Sequence, residues 1–323
     1  MSLMQDETRE APDAVARCLA QSTQFATLGA ELRSLDPPFA VVAARGSSAH
    51  AGTFLRALLG LRLGLVAAAA MPSLASVYGQ NPRMRGALFV ALSQSGRSPD
   101  LIAATHAARA GGALTLAIVN DTASPLASAC DHVLDLRAGP ERSVAATKTV
   151  LASLAGGLAL VDAWDGQSSQ TAELPGRIAA ALALDWSPLV TLLSSHDRLF
   201  TLGRGPGLGI AQEAALKLAE TCTIGAMAFS MAEIAHGPVT LGYPALAFLQ
   251  HDETHQRSME FLAASGLRVI ATGRDLPTLP AANPAADLLP MLGSFYLAAE
   301  AAARARGLDP DRPRSLTKIT QTT

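Results

Sequence analysis

Aromatic residues make up only 4% of this chain, and cysteine occurs three times in 323 residues. The shortage of aromatics argues against a β-sandwich, whose facing sheets draw on aromatic and Thr side chains. Cys18, Cys130 and Cys222 are widely scattered. They match no disulfide framework and no paired zinc-ligand spacing, so they read as reduced thiols of an intracellular protein. Charge of one sign is also lacking. The formal net charge is −2, and no basic stripe of the kind that nucleic-acid binding needs is visible. A negatively charged ligand must then be met locally and not by a global field. Long hydrophobic runs are absent too. The apolar stretch 58–71 contains Arg62 and is too short to span a bilayer. The N-terminus has no basic segment leading into an apolar one, so no export signal is expected. Nor is there a His/Asp/Glu cluster at metal-ligand spacing. These absences predict a cytoplasmic protein with no membrane, nucleic-acid or metal partner.

What is present is a repeated α/β plan. Apolar residues reach 49%, and short apolar runs alternate with Ala-rich helical stretches. Runs at 39–44, 87–92 and 114–119 in the first half correspond to 199–202, 245–249 and 267–271 in the second. Each run is bounded by turn or cap residues, the pattern of a strand buried on both faces. Helical stretches such as 98–110 and 211–221 lie between them, which implies parallel sheets with right-handed crossovers. The expected fold is α/β, with two doubly wound, flavodoxin-like domains related by internal repeat, each with its own core. A helical extension at 1–36, with one helix over about 11–32, precedes a first domain at 37–165. A segment rich in Gly, Ser and Gln near 164–173 links it to a second domain at 187–306, and a Pro-rich tail follows at 307–323.

In open parallel sheets, ligands sit beyond the carboxyl ends of the strands. Ser93-Gln94-Ser95-Gly96-Arg97-Ser98 falls at such an end, with three hydroxyls and an amide among six residues. Ser98 and Pro99 read as the N-cap and first residue of a helix, whose free N–H groups and positive dipole end suit a phosphate. A Ser-rich turn that merely caps a helix fits the same pattern. Arg45-Gly46-Ser47-Ser48 ends a second run and could bring further hydroxyls to the same crevice. In the second half, Glu213, Lys217 and Glu220 are spaced i, i+4, i+7 and share one helical face. That face is either a solvated ion pair or an acid–base set. His236 sits at a turn, where an imidazole could relay protons near neutral pH.

In this order, the motifs resemble the sugar isomerase (SIS) family, in particular the isomerase part of glucosamine-6-phosphate synthase and stand-alone glucosamine-6-phosphate deaminases. The marks are Arg45-Gly46-Ser47-Ser48, Ser93-Gln94-Ser95-Gly96, Val144-Ala145-Ala146-Thr147-Lys148, the segment from Glu213 to Glu220, Glu233-Ile234-Ala235-His236-Gly237-Pro238, and the segment from Asp311 to Lys318. The resemblance implies a phosphorylated amino sugar held by Ser48, Ser93, Gln94, Ser95 and Ser98. Ser47 and Val144 would touch the sugar chain, with Lys217 beside the base. Glu220 would carry the proton between adjacent carbons, and His236 would open the ring, reaching across a homodimer interface. Lys318 would form an imine with the sugar carbonyl. No cofactor is implied. Ala235 and Ala146 stand where synthases tend to carry Lys and Ser. The short stretch ahead of residue 39 leaves no room for a glutaminase domain. Both features depart from the synthases, while Arg45-Gly46-Ser47-Ser48-x-His50 and Gly139-Pro140-Glu141-Arg142-Ser143 look more like the stand-alone deaminases, so the expected direction is breakdown, glucosamine 6-phosphate to fructose 6-phosphate and ammonia. The alternatives are an isomerizing transaminase or another aldose–ketose isomerase, and a non-catalytic sugar-phosphate sensor.

Overall fold

Each long apolar run is a strand that pairs in parallel with the next. The computed structural model describes residues 2–167, 170–252, 254–314 and 316. The first sheet comprises β1 (Ala40–Ala44), β2 (Ala67–Ala69), β3 (Leu88–Ser93), β4 (Leu114–Val119) and β5 (His132–Asp135), in the order β2-β1-β3-β4-β5. The second comprises β6 (Arg198–Gly203), β7 (Gly225–Ser230), β8 (Ala245–Ala247) and β9 (Val269–Ala271), in the order β7-β6-β8-β9. The second order repeats the first four places of the first, as the internal repeat predicts. All pairings are parallel. Interior strands are apolar on both faces because helices cover both; every residue of β3 is buried.

The connections are helical. In the first half they are α4 (Gly46–Leu63), α5 (Ser73–Ser76), α6 (Pro99–Ala110), α7 (Pro125–Ala129) and α8 (Lys148–Asp165). In the second half come α9 (Leu174–Ala181), α10 (Ser187–Ser195), α11 (Pro206–Cys222), α12 (His255–Ala264) and α13 (Leu288–Ala305). Ahead of them, the single helix expected over 11–32 is instead three: α1 (Leu3–Arg9), α2 (Ala11–Leu19) and α3 (Ser22–Leu35). The break between α2 and α3 falls at Gln21. Its side-chain amide is buried and donates to the carbonyls of Cys18 at 3.0 Å and Asp135 at 2.7 Å. Two backbone acceptors are thereby satisfied where a continuous helix would point the side chain elsewhere. The expected linker near 164–173 begins inside α8, with Trp164 packed in the core.

The core also departs from expectation. Two small clusters cover the outer faces of the sheets, around Phe89 and Leu101 in one and Phe200 and Leu202 in the other. The largest cluster belongs to both halves: Phe54, Leu55 and Leu158 pack in it with Ile210, Leu218 and Phe295. At its centre α4 and α11 lie against each other. A Cβ on Gly209 would sit 2.6 Å from the His50 carbonyl oxygen, so only glycine permits this approach. The halves are therefore joined through a common interior. No helix among the described residues is long and apolar enough to cross a membrane.

Candidate active site

The order β2-β1-β3 makes the carboxyl ends of β1 and β3 the point where the chain turns to opposite sides of the sheet, the usual place for a ligand crevice. Arg45-Gly46-Ser47-Ser48 leaves β1 there, and Ser93 to Ser98 leaves β3. Ala44 pairs with Leu92 in register, so the two loops start side by side. Each leads into a helix N-terminus, of α4 and of α6. The Ser93 hydroxyl accepts the Gly96 N–H at 3.0 Å and closes the loop on itself. Gln94, Ser95 and Ser98 are half-buried. Ser98 occupies the N-cap position of α6, as expected, but its hydroxyl makes no capping bond. Arg97 is on the surface and pairs with Asp121 at 2.9 Å. Arg45 pairs with the buried Asp100 at 2.6 Å, fastening one loop to the other. With both arginines engaged, an anion here would rest on hydroxyls and helix-terminal N–H groups.

Gly96 has φ +62°, and a Cβ there would lie 2.1 Å from the Ser124 hydroxyl oxygen. Gly96→Ala should therefore push the loop outward. The left-handed conformation alone costs about 1–2 kcal/mol for a non-glycine residue. The expected result is faster amide hydrogen exchange over 93–98 than in the unaltered protein, the signature of a loop no longer held in place.

The third wall is the segment 139–147 between β5 and α8. Asn120, at the end of β4, holds it: the side chain donates to Gly139 O at 2.8 Å and accepts from Ala138 N at 2.8 Å, while its own N–H reaches Gln94 O at 3.3 Å. Glu141 is buried and accepts the backbone N–H groups of Thr147 at 2.9 Å and Thr149 at 3.2 Å, together with the Thr149 hydroxyl. Val144, between them, is half-buried.

The fourth wall is α11, from the other half. Glu213, Lys217 and Glu220 lie on one face as their spacing predicts, but that face is inside the protein. Glu213 and Lys217 are each 1% exposed. One Glu213 oxygen lies 2.9 Å from His50 Nδ1; the other accepts the Tyr296 hydroxyl at 3.1 Å and lies 3.7 Å from Lys217 Nζ. Ser47, at the start of α4, also favours the charged form of this carboxylate. Lys217 bonds Glu220, whose side chain keeps 17% of its surface exposed. Burial alone would raise the Glu213 carboxyl, but Lys217, His50 and Ser47 outweigh it and hold the group below the ordinary carboxylate range. Burial would likewise lower Lys217; Glu213 and Glu220 outweigh it and raise the ammonium above its usual range. Both directions describe one charged, fully engaged set. Tyr296 is pushed well above the ordinary phenol range by burial, then by the adjacent Glu213 charge, so it remains a donor.

The sequence reading named Glu213, Lys217 and Glu220 but not what holds them. His50 belonged to the Arg45-Gly46-Ser47-Ser48-x-His50 pattern and could have been singled out. Tyr296 is one of only three tyrosines, set in an Ala-rich helix where a phenol needs a polar partner. His236 sits on a short 3₁₀ turn, Glu233–His236, and is exposed. Lys318 lies outside the described residues. No group of three or more His, Cys, Asp or Glu residues placed to hold a metal occurs among the described residues.

Hydroxyl-rich loops at one sheet's switch point, with a buried charged helix of the second half bonded against them, place the candidate site between two like halves of an α/β protein. The SIS domain family matches residues 39–163. A protein from Silicibacter pomeroyi DSS-3, provisionally named a phosphosugar isomerase, is 42% identical and superposes with a TM-score of 0.91 over 96% of this chain and 100% of that one. Glutamine–fructose-6-phosphate aminotransferase (isomerizing) of Symbiobacterium thermophilum is 31% identical across 97% of this chain and 57% of its own length. This chain thus spans a little over half of that relative. The glucosamine-6-phosphate deaminase of Thermotoga maritima shares the fold, with a TM-score of 0.77 over 97% of this chain and 100% of its own, at 20% identity. The chain belongs to the SIS-domain family.

Proposed function

We propose that the protein is an aminosugar-phosphate deaminase/isomerase that converts glucosamine 6-phosphate to fructose 6-phosphate and ammonia. The observation that carries this reading is Glu220. It is the partly exposed end of a charge set otherwise sealed from water, with a cation fixed beside it. One carboxylate that can take a proton and give it back is what 1,2-proton transfer on an open-chain sugar requires.

In this reading the phosphate rests on Ser48, Ser93, Gln94, Ser95 and Ser98, and the sugar chain runs past Ser47 and Val144. His236, supplied by the second subunit of a homodimer, opens the pyranose. Glu220 removes the C2 proton of the open-chain amino aldehyde, and the electron pair moves to give an enolamine. Protonation at C1 leaves a ketimine at C2. Water adds to that imine, the C2–N bond breaks, and ammonia departs as the ketone forms. Lys217 holds positive charge beside the carboxylate throughout, and Lys318 is the residue for covalent capture of the carbonyl. Ala235 and Ala146 support the breakdown direction. The name of the Silicibacter relative favours a second reading, in which the same shuttle interconverts aldose and ketose phosphates with no nitrogen released.

Purified protein incubated with glucosamine 6-phosphate should release ammonia and fructose 6-phosphate in equal amounts. Bound sugar with no ammonia would remove the deaminase reading. Conversion of fructose 6-phosphate to an aldose phosphate under the same conditions would establish the second.

A further inference from the structure

The N-terminal helices read as an extension outside the site, yet their acidic side chains reach into its third wall. Glu7, on α1, is 5% exposed. Its two carboxylate oxygens accept the backbone N–H groups of Arg142 and, at 3.1 Å, Ser143. These are the two residues immediately before Val144. Glu10, where α1 meets α2, pairs with Lys148 at the head of α8, itself 2% exposed. Glu141 in the same segment turns inward to Thr147 and Thr149, so it does not compete for these contacts. A seven-residue helix such as α1 is not stable alone, and its far end is held by a remote part of the chain. The Asp311 carboxylate accepts the N–H groups of Leu3 at 2.7 Å and Met4 at 2.8 Å, and the Ser2 hydroxyl donates to Glu300 at 2.8 Å.

We infer that Glu7 is a positioning residue for the backbone around Val144, and that Asp311 fixes where Glu7 stands through α1. Segment 142–147 has no helix or strand to orient it. Two adjacent N–H groups pinned on one carboxylate remove most of the freedom at Arg142 and Ser143. Hydrogen bonds to an ionised acceptor are roughly twice as strong as neutral ones. The inference rests on the proposed function only in taking Val144 as a neighbour of the sugar. Its physical content, a carboxylate outside the site that orders a loop inside it, does not depend on the reaction.

The test uses the full chain with Glu7→Gln, Glu7→Asp, Asp311→Ala and the double variant Glu7→Gln/Asp311→Ala. Amide hydrogen exchange over 141–149 without ligand reads the loop directly. Calorimetry with fructose 6-phosphate and steady-state kinetics with glucosamine 6-phosphate read the consequence. Burial pushes the Glu7 carboxyl above its ordinary range despite the opposing N–H bonds, so Glu7→Gln removes a penalised charge and should leave the melting temperature near wild type. The expected result is faster exchange at 142–147 only. With it, Kd and KM should rise about tenfold and kcat stay within about threefold, the signature of a misplaced binding wall. Glu7→Asp should recover part of the loss, Asp311→Ala should shift the same quantities in the same direction, and the double variant should be no worse than Glu7→Gln. Unchanged exchange at 142–147 in Glu7→Gln overturns the inference. So does a loss of protection throughout the chain, with kcat falling at constant KM, which is a merely structural effect. If the wild-type protein binds no fructose 6-phosphate, the phosphosugar reading is what fails, and the exchange comparison alone decides for or against Glu7.

Discussion

Glu220→Gln is expected to lower turnover of glucosamine 6-phosphate by about 10²–10⁴-fold, the contribution typical of a positioned general base. Fructose 6-phosphate affinity should stay within a few-fold of wild type. Glutamine keeps the shape of the side chain and an oxygen for Lys217, but it cannot accept and return a proton. Lys217 keeps a second carboxylate, Glu213, in reach at 3.7 Å, so the substitution leaves no buried cation without a partner. That separation of chemistry from folding makes Glu220 a sharper probe than Glu213, which is bonded on every side. Single-turnover rates and calorimetric Kd, measured on the same preparation, check the split. Unaltered turnover would remove Glu220 as the base.

Lys217→Met should have the largest effect on stability. Methionine replaces the stem but removes the cation between Glu213 and Glu220. Breaking a buried ion pair from one side costs about 3–5 kcal/mol, because the remaining charge stays desolvated. Chemical denaturation at neutral pH measures it. The pH dependence has a definite sign. Glu213 is depressed in the folded protein, so its contribution is fully present above the ordinary carboxylate value and is lost as pH falls through the folded value. Lys217 is raised, so its contribution is fully present below the ordinary lysine value and is lost as pH rises through the folded one. The wild type should therefore show its full advantage over Lys217→Met across the neutral range, and the gap should narrow towards acid. A gap that widens on acidification would contradict this assignment of charges.

Sequence periodicity found the strands covered on both faces, β1, β3, β4, β6 and β8, and one edge strand, β9. The missed ones, β2, β5 and β7, are edge strands. β2 is three alanines, two of them exposed. β7 has no buried residue along its length. A strand that buries little has nothing local to mark it off, as with β2 inside the apolar stretch 58–71, and its place is set by the neighbour it joins. The two cores inferred from the repeat merge for a related reason. Gly209 lets α11 lie against the backbone of α4, a contact between residues far apart in sequence that no local pattern encodes.

At the site, the hydroxyls of Ser47, Ser48, Ser93, Ser95 and Ser98 were visible as a pair of strand-end loops, because turn chemistry is local. The spacing of Glu213, Lys217 and Glu220 put them on one helical face, because helical periodicity is local as well. Whether that face was wet or dry was open. A Glu–Lys pair on a solvated helix contributes only a few tenths of a kcal/mol, whereas the same pair in the interior becomes a constraint on the whole site. The packing of α4 and α13 around α11 decided it, bringing His50 and Tyr296 to Glu213 and leaving Glu220 as the member with access to solvent.

The sequence by itself determined the parallel α/β plan, its duplication, the loops at the strand ends and the family to which their order points. These rest on apolar periodicity and turn residues, which act over a few positions. The tertiary structure alone decided that the Glu213–Lys217 face is buried, that one core joins the halves, and that Glu7 reaches the third wall from α1, the helix that Asp311 holds at its other end. Each of these depends on burial and long-range hydrogen bonding, and so on residues brought together only when the chain closes around a common interior.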